Sequence, residues 1–270
     1  MMASDVMGRD GASTPVRRSV VGVPVSVTDY AEVVECVVIA AKRRQPYLVT
    51  ALAVHGVIEA VHESEMGAAI EAFDVVTPDG QPVRAVLNLV HGAGLQDRVY
   101  GPTLMLRLCE RAAKEGIGVY LYGSTADTVA RLAERLQARF PTLRIAGAEP
   151  STFRPLTEAD SRALAERVAK SRAGMVFVGL GCPRQEKFAS AHRHLIGVPQ
   201  ICVGAAFDFH AGTKRQAPEW MQKASLEWLF RLSQEPQRLF GRYATTNSRF
   251  VWRATNQYLR TRLTVKKGIR

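Results

Sequence analysis

The sequence predicts an α/β fold: a Rossmann-like, mostly parallel sheet with helices on both faces, followed by a basic helical C-terminal appendage. Three observations carry the prediction. Short apolar runs alternate with longer amphipathic stretches, the rhythm of strand–helix–strand units whose sheet is covered on both sides. The chain has 270 residues, 47% of them hydrophobic, enough to bury a large core. The formal net charge of +11 is uneven, because residues 231–270 hold ten Lys and Arg against Glu235 alone, a local +9.

The elements follow in order. Residues 1–19 read as a disordered lead-in without the apolar stretch of a secretory signal. Thr28 is placed to cap an apolar-periodic helix through Ala41. Tyr47–Val54 reads as a buried strand, His55–Ala72 as a helix, and Asp74–Thr77 as a short strand ending at the turn signature Pro78-Asp79-Gly80. Helices are expected at Pro82–Val90 and Thr103–Lys114. A strand at Ile117–Tyr122 then leads through Gly123-Ser124 into a helix that Pro141 stops. Leu143–Ala146, Met175–Val178 and Gln200–Val203 complete the strands, with helices at Thr157–Ser171 and Arg184–His194 between them. From Pro218 the pattern is helical, broken near Pro236. The expected domains are therefore a core over 20–212 and a basic appendage over 213–270.

Charge and cysteine usage bound the function. Localised cations attract phosphates, whether of nucleic acid, anionic lipid or a phosphorylated substrate, although a charge run can also be a solvated tail. The four scattered cysteines form no CxxC pair, which points to a reducing compartment and no zinc site. No apolar run reaches the ~18 residues that span a bilayer; Val33–Ala41 is interrupted by Glu35. The expectation is a cytoplasmic protein whose membrane contact is peripheral.

Parallel sheets bind ligands at the carboxyl ends of their strands, which selects four loops. Asp79, just past a short strand, is positioned as a general base or simply closes a turn. Gly123-Ser124-Thr125 offers backbone N–H groups and hydroxyls at a helix start, a place for a diphosphate or an ordinary N-cap. In Gly179-Leu180-Gly181-Cys182-Pro183-Arg184-Gln185-Glu186-Lys187, Gly181 permits close approach and Gln185 can read a base or sugar edge. Arg184 and Lys187 place cations at a helix N-terminus, which points to an anionic ligand. Asp208, between Phe207 and Phe209, binds a hydroxyl or caps a loop.

Five collinear segments resemble the WecG/TagA/CpsF family of bacterial glycosyltransferases: DVVTPDGQPV (74–83), RVYGPTLM (98–105), LYG (121–123), VGLGCPRQEK (178–187) and the block from Val203 to Phe250. The resemblance spans roughly Val20 to Val251. It implies an inverting hexosyl transfer from a UDP-sugar to a polyprenyl-diphosphate-linked saccharide, at an anionic inner-membrane surface, in exopolysaccharide or cell-wall polymer synthesis. It implies Asp79 as general base and Gln185 as a nucleotide-binding glutamine; Thr50, Gly80, Gly123, Ser124, Gly181, Arg184 and Asp208 are the further candidates for the substrate and nucleotide site. No metal and no cofactor is implied. Arg231, Arg238 and Arg242 are then the cations for the departing diphosphate and the membrane. Where the family carries an asparagine after the threonine of its first sheet strand, this chain continues Thr50-Ala51-Leu52, and His55 follows as a substitute polar contact.

Two other readings remain. A nicotinamide-binding Rossmann protein calls for GxGxxG after the first strand, which is missing. A nucleic-acid-binding protein is motivated by Trp252 and Tyr258 among the C-terminal cations, but leaves Asp79 and the PRQEK loop unused, so no nucleic-acid partner is expected. A homo-oligomer is left open.

Overall fold

The computed structural model describes residues 14–223 and 226–267; the side chains at 223, 238, 239, 242–244 and 264–267 lie outside that description. A strand pair, β1 (Arg17–Val20) and β2 (Val23–Ser26), precedes α1 (Tyr30–Arg43), β3 (Leu48–Leu52), α2 (Val54–His62), α3 (Ser64–Glu71), β4 (Val75–Pro78), α4 (Gln81–His91) and α5 (Gly101–Glu115). There follow β5 (Val119–Gly123), α6 (Ala126–Arg139), β6 (Ile145–Glu149), α7 (Glu158–Lys170), β7 (Met175–Gly179), α8 (Arg184–Ala191), α9 (Arg193–Ile196) and β8 (Gln200–Cys202). The chain closes with α10 (Ala206–Ala211), α11 (Glu219–Lys223), α12 (Glu227–Gln234) and α13 (Pro236–Lys267).

Six strands form one sheet in the order β4-β3-β8-β7-β5-β6. Every pairing is parallel. Strands buried on both faces need apolar residues at odd and even positions alike, and MVFVG of β7 supplies them. Alternation along the pleat sends Val49, Val75, Leu121, Phe177 and Ile201 to the face covered by α1, α5, α6 and α10. Leu48, Leu52, Val176, Val178 and Cys202 go to the face covered by α2, α3, α4, α7 and α8. By the same alternation Thr77 shares the first face and Thr50 the second.

Several expectations change. An ordered hairpin starts at Arg17, within the expected lead-in, and Val21 and Gly22 both turn at positive φ. Such a two-residue turn matches the twist of the strands it joins. The side chain of Asp29, not Thr28, caps α1 by accepting from the Glu32 N–H, while the Thr28 hydroxyl donates to the Glu32 carboxylate. The helix expected over His55–Ala72 is two, because Glu63 adopts an extended conformation between α2 and α3 and meets Lys187 there. The helix expected over Arg184–His194 also divides, at His192, whose ring is held by the Phe188 carbonyl and the Ser161 hydroxyl. Phe207–Phe209 lies within the short helix α10, with Phe207 buried.

The C-terminal segment packs on the core. Gln257 of α13 accepts from the Val21 N–H at 2.8 Å and donates to the Ser19 carbonyl at 2.7 Å, and Phe250 is buried among core side chains. Helix α13 packs against α2 and α4. It therefore straps the hairpin to the sheet edge, where the Ser26 hydroxyl accepts from the Val76 N–H.

Candidate active site

Parallel strands put their carboxyl ends on one rim, and the expected site residues gather there from different strands. Thr50 lies on β3, Asp79 follows β4, Gly123 ends β5 and Gly181 follows β7. From β5 the chain winds outward to β6, whereas from β7 it winds the other way to β8, so the winding reverses between β5 and β7. Such a reversal opens a crevice for ligands. Gly123 has φ +135°, and a Cβ there would lie 2.6 Å from the Gly179 carbonyl, so only glycine lets the two strand ends close up. Asp79 stands four strand spacings away, roughly 19 Å at ~4.8 Å per spacing.

Asp79 sits at the N-terminus of α5, where the Gly101 N–H donates to its carboxylate. Gly101 comes this close to β3 because it has no side chain: a Cβ would lie 3.1 Å from the Ala51 Cβ. Part of Asp79 touches solvent, yet protein surrounds it, and that burial pushes its pKa up to about 7. The Arg98 and Arg231 cations oppose the rise, and the Glu227 carboxylate adds to it.

These neighbours form a compact cluster. Arg98 donates to Glu227 Oε2 at 2.7 Å, and its guanidinium lies 4.1 Å from the centre of the Tyr100 ring. The Tyr100 hydroxyl donates to Glu227 Oε1 at 2.9 Å and accepts from Gln216 at 3.3 Å. Glu227 and Arg231 are one turn apart on α12, so the C-terminal segment brings both an acid and a cation to Asp79. Arg231 also lies 5.9 Å from the centre of the Phe209 ring. Arg238 and Arg242 fall on α13, beyond the break at Glu235, and their side chains are outside the described residues.

A second cluster lies on the other sheet face. Gln185 and Glu186, in the first turn of α8, are 3% and 0% exposed. The Thr50 hydroxyl and the Gln185 amide each donate to Glu186 Oε1 at 2.8 Å. The Cys182 thiol is a further donor to Glu186. Burial raises the Glu186 pKa, and these donors pull against it. Among the described residues the buried Gln185 Oε1 has no hydrogen-bond partner, and it lies beside Gly204.

The remaining expected residues are less converged. Arg184 is exposed at the start of α8, and Lys187 is held by Glu63 and Glu65 on the α2–α3 side. In the Gly123 turn, the Ser124 N–H already donates to the Gly179 carbonyl, and the Thr125 hydroxyl caps α6. His55, on the first turn of α2, lies 3.6 Å from Glu59. Asp208 pairs with Lys214 at 3.3 Å, and Lys214 reaches Glu235 at the same distance. Gly80 caps α4 with its backbone.

Sequence reasoning named neither Arg98, Tyr100, Glu227 nor Glu186 as a site residue. Arg98 and Tyr100 stand in a segment already singled out, RVYGPTLM, and Glu186 in the PRQEK loop. Glu227 carried no signal beyond its place among aromatics and cations.

Among the described residues no helix is long and apolar enough to cross a membrane. Large apolar side chains are nevertheless exposed along the C-terminal segment, including Trp220, Trp228, Phe240, Trp252 and Leu263.

Residues 18–264 match the family described as Glycosyl transferase WecG/TagA/CpsF. Among curated proteins, the chain is 34% identical over 183 residues to an N-acetylglucosaminyldiphosphoundecaprenol N-acetyl-beta-D-mannosaminyltransferase of Bacillus spizizenii, covering 67% of this chain and 68% of that one. It is 30% identical over 180 residues to the protein of the same name in Bacillus subtilis, covering 66% and 68%.

Proposed function

For a chain that belongs to the WecG/TagA/CpsF glycosyltransferase family, we propose inverting transfer of an N-acetylhexosamine from a UDP-sugar to a polyprenyl-diphosphate-linked saccharide, with Asp79 as general base. The chain is a glycosyltransferase; donor, acceptor and stereochemistry are the proposal. One observation carries it: a carboxylate at the carboxyl rim, brought by burial to a pKa of about 7 and flanked by two arginines. A base titrating near working pH can take a proton without being permanently blocked by one. The acceptor hydroxyl oxygen attacks the anomeric carbon and its proton passes to Asp79. The bond from that carbon to the diphosphate oxygen breaks, and UDP leaves with the electron pair. A β-linked product, as in the relatives' names, requires inversion when the nucleotide sugar is α-linked.

Arg231 is placed to meet the charge that develops on the diphosphate, since a guanidinium forks onto phosphate oxygens; Arg238 and Arg242 are assigned to the same diphosphate and to the membrane. Gln185, whose buried Oε1 has no hydrogen-bond partner among the described residues, is assigned to the nucleotide, together with Gly123, Ser124 and Gly181, and Thr50 supports it through Glu186. The exposed tryptophans and cations of the C-terminal segment suit peripheral contact with an anionic membrane, at about 1 kcal/mol per cation. The test is release of UDP from a panel of UDP-sugars with a short-chain polyprenyl-diphosphate N-acetylglucosamine acceptor. Acceptor-dependent release is expected with UDP-N-acetylmannosamine first; release with no donor refutes the proposal.

A further inference from the structure

We infer that Glu227 is a positioning residue of the transfer: from the C-terminal segment it clamps Arg98 against Tyr100 and fixes the charge balance in which Asp79 accepts the acceptor's proton. The inference rests on Asp79 being the base. Glu227 uses both carboxylate oxygens, one on Arg98 at 2.7 Å and one on the Tyr100 hydroxyl at 2.9 Å. Its side chain is only 13% exposed and that of Arg98 only 10%. An ion pair so enclosed is weakly screened and costs desolvation on both sides. A strap needed only to hold α12 down could use apolar contacts at lower cost. The position of the pair also matters, because Arg98 lies between Glu227 and Asp79 in charge: it is drawn by both carboxylates.

The groups facing Asp79 can be named element by element. The loop before α5 contributes Arg98 and Tyr100, and α5 itself the Gly101 N–H. Helix α1 contributes Tyr30, whose hydroxyl accepts from the Tyr100 N–H and is raised in pKa by burial, with Asp79 and Asp97 as lesser causes. Helix α12 contributes Glu227 and Arg231. Arg98 and Arg231 both favour a charged Asp79, and Glu227 alone among the ionised neighbours on α12 opposes it. Removing the Glu227 charge leaves two unopposed cations and makes Asp79 a weaker base.

The experiment compares kcat/KM across pH 5–9 for the wild type and Glu227→Gln, with UDP release as readout. The acid limb, the rise in activity as Asp79 loses its proton, is expected to move about one pH unit lower in the variant. At pH 8 the rate should fall several-fold as the base weakens. A purely mechanical strap predicts raised KM with the acid limb unmoved, and that result overturns the inference. Thermal unfolding checks the fold. Should Glu227→Gln fail to fold, Glu227→Asp withdraws the charge without deleting it, and a smaller shift in the same direction is expected; no shift there is equally fatal. Absence of UDP release by the wild type with every donor refutes the proposed function instead, so the two failures are distinguishable.

Discussion

Asp79 and Glu186 occupy opposite faces of one sheet rim, and burial raises the proton affinity of both. Their surroundings differ in kind. Asp79 is set among ions, Arg98, Arg231 and Glu227, two of which arrive on the C-terminal helix α12. Glu186 is set among neutral donors, Thr50 of β3, Gln185 of α8 and Cys182 of the loop before it. A carboxyl among ions changes its proton affinity whenever one of those ions moves or meets a phosphate. A carboxyl among hydroxyl, amide and thiol groups in a packed interior has no such lever. The first arrangement suits proton transfer coupled to substrate binding and the second suits holding a binding surface rigid.

Asp79→Asn carries the largest expected effect. Turnover should fall about 10²–10⁴-fold, the range for loss of a general base, while UDP affinity measured by calorimetry stays within a few-fold. Equal loss of both would make Asp79 structural and remove the contrast with Glu186. Glu186→Ala should act on stability: it strands the Thr50 hydroxyl and the Gln185 amide in a buried site, at a cost of roughly 2–4 kcal/mol, seen as a lower denaturation midpoint. The near-isosteric Glu186→Gln should leave the acid limb of the pH profile where it is. A displaced limb there would mean that Glu186, too, is coupled to the chemistry.

The two clusters were unequally legible in the sequence. Asp79 was readable because a carboxylate one residue past a strand, in a Pro-Asp-Gly turn, has few places to go but the rim. Gln185 was readable as a polar side chain in a loop with two glycines. Glu186 and Lys187 stand in the first turn of α8, as the sequence places them, but their partners are not legible there. Burial of Glu186 depends on α8 lying flat on β3 and β8, and the Lys187 charge is taken up by Glu63 more than a hundred residues earlier. Neither relation leaves a local pattern. The hairpin was missed for a similar reason: Val21 at φ 58° in a two-residue turn is not a sequence signal. The parallel sheet itself was legible, since its strands must be apolar on both faces.

Asp79 also makes stability depend on pH. The folded-state pKa of Asp79, about 7, lies above the ~3.9 of an unfolded aspartate. Between those values the native state binds a proton that the unfolded state has lost, so this group's contribution to stability falls as pH rises from about 4 to about 7 and is flat above. Asp79→Asn removes that loss. The variant should gain on the order of 2–4 kcal/mol over the wild type at pH 8 and little at pH 4, measured by urea denaturation. A gain that does not depend on pH would show that repacking, and not the charge, is responsible.

Thr50→Val is the smallest perturbation and the most selective for the second cluster. Valine fills nearly the same volume, and Thr50 is fully buried on β3, so no cavity opens and β propensity is preserved. What is lost is one of the donors to Glu186 Oε1. The Gln185 amide still donates to that oxygen, so the carboxyl keeps a partner and the cost is held near ~1 kcal/mol. With one donor fewer, the charged form of Glu186 is less favoured and its pKa moves further up. If Glu186 serves to fix Gln185, one of its remaining donors, then Gln185 gains freedom and UDP affinity should weaken by a few-fold while kcat at saturating donor changes little. A fall in kcat with unchanged UDP affinity would place Thr50 at the reacting centre, and the two faces of the rim would no longer divide into chemistry and binding.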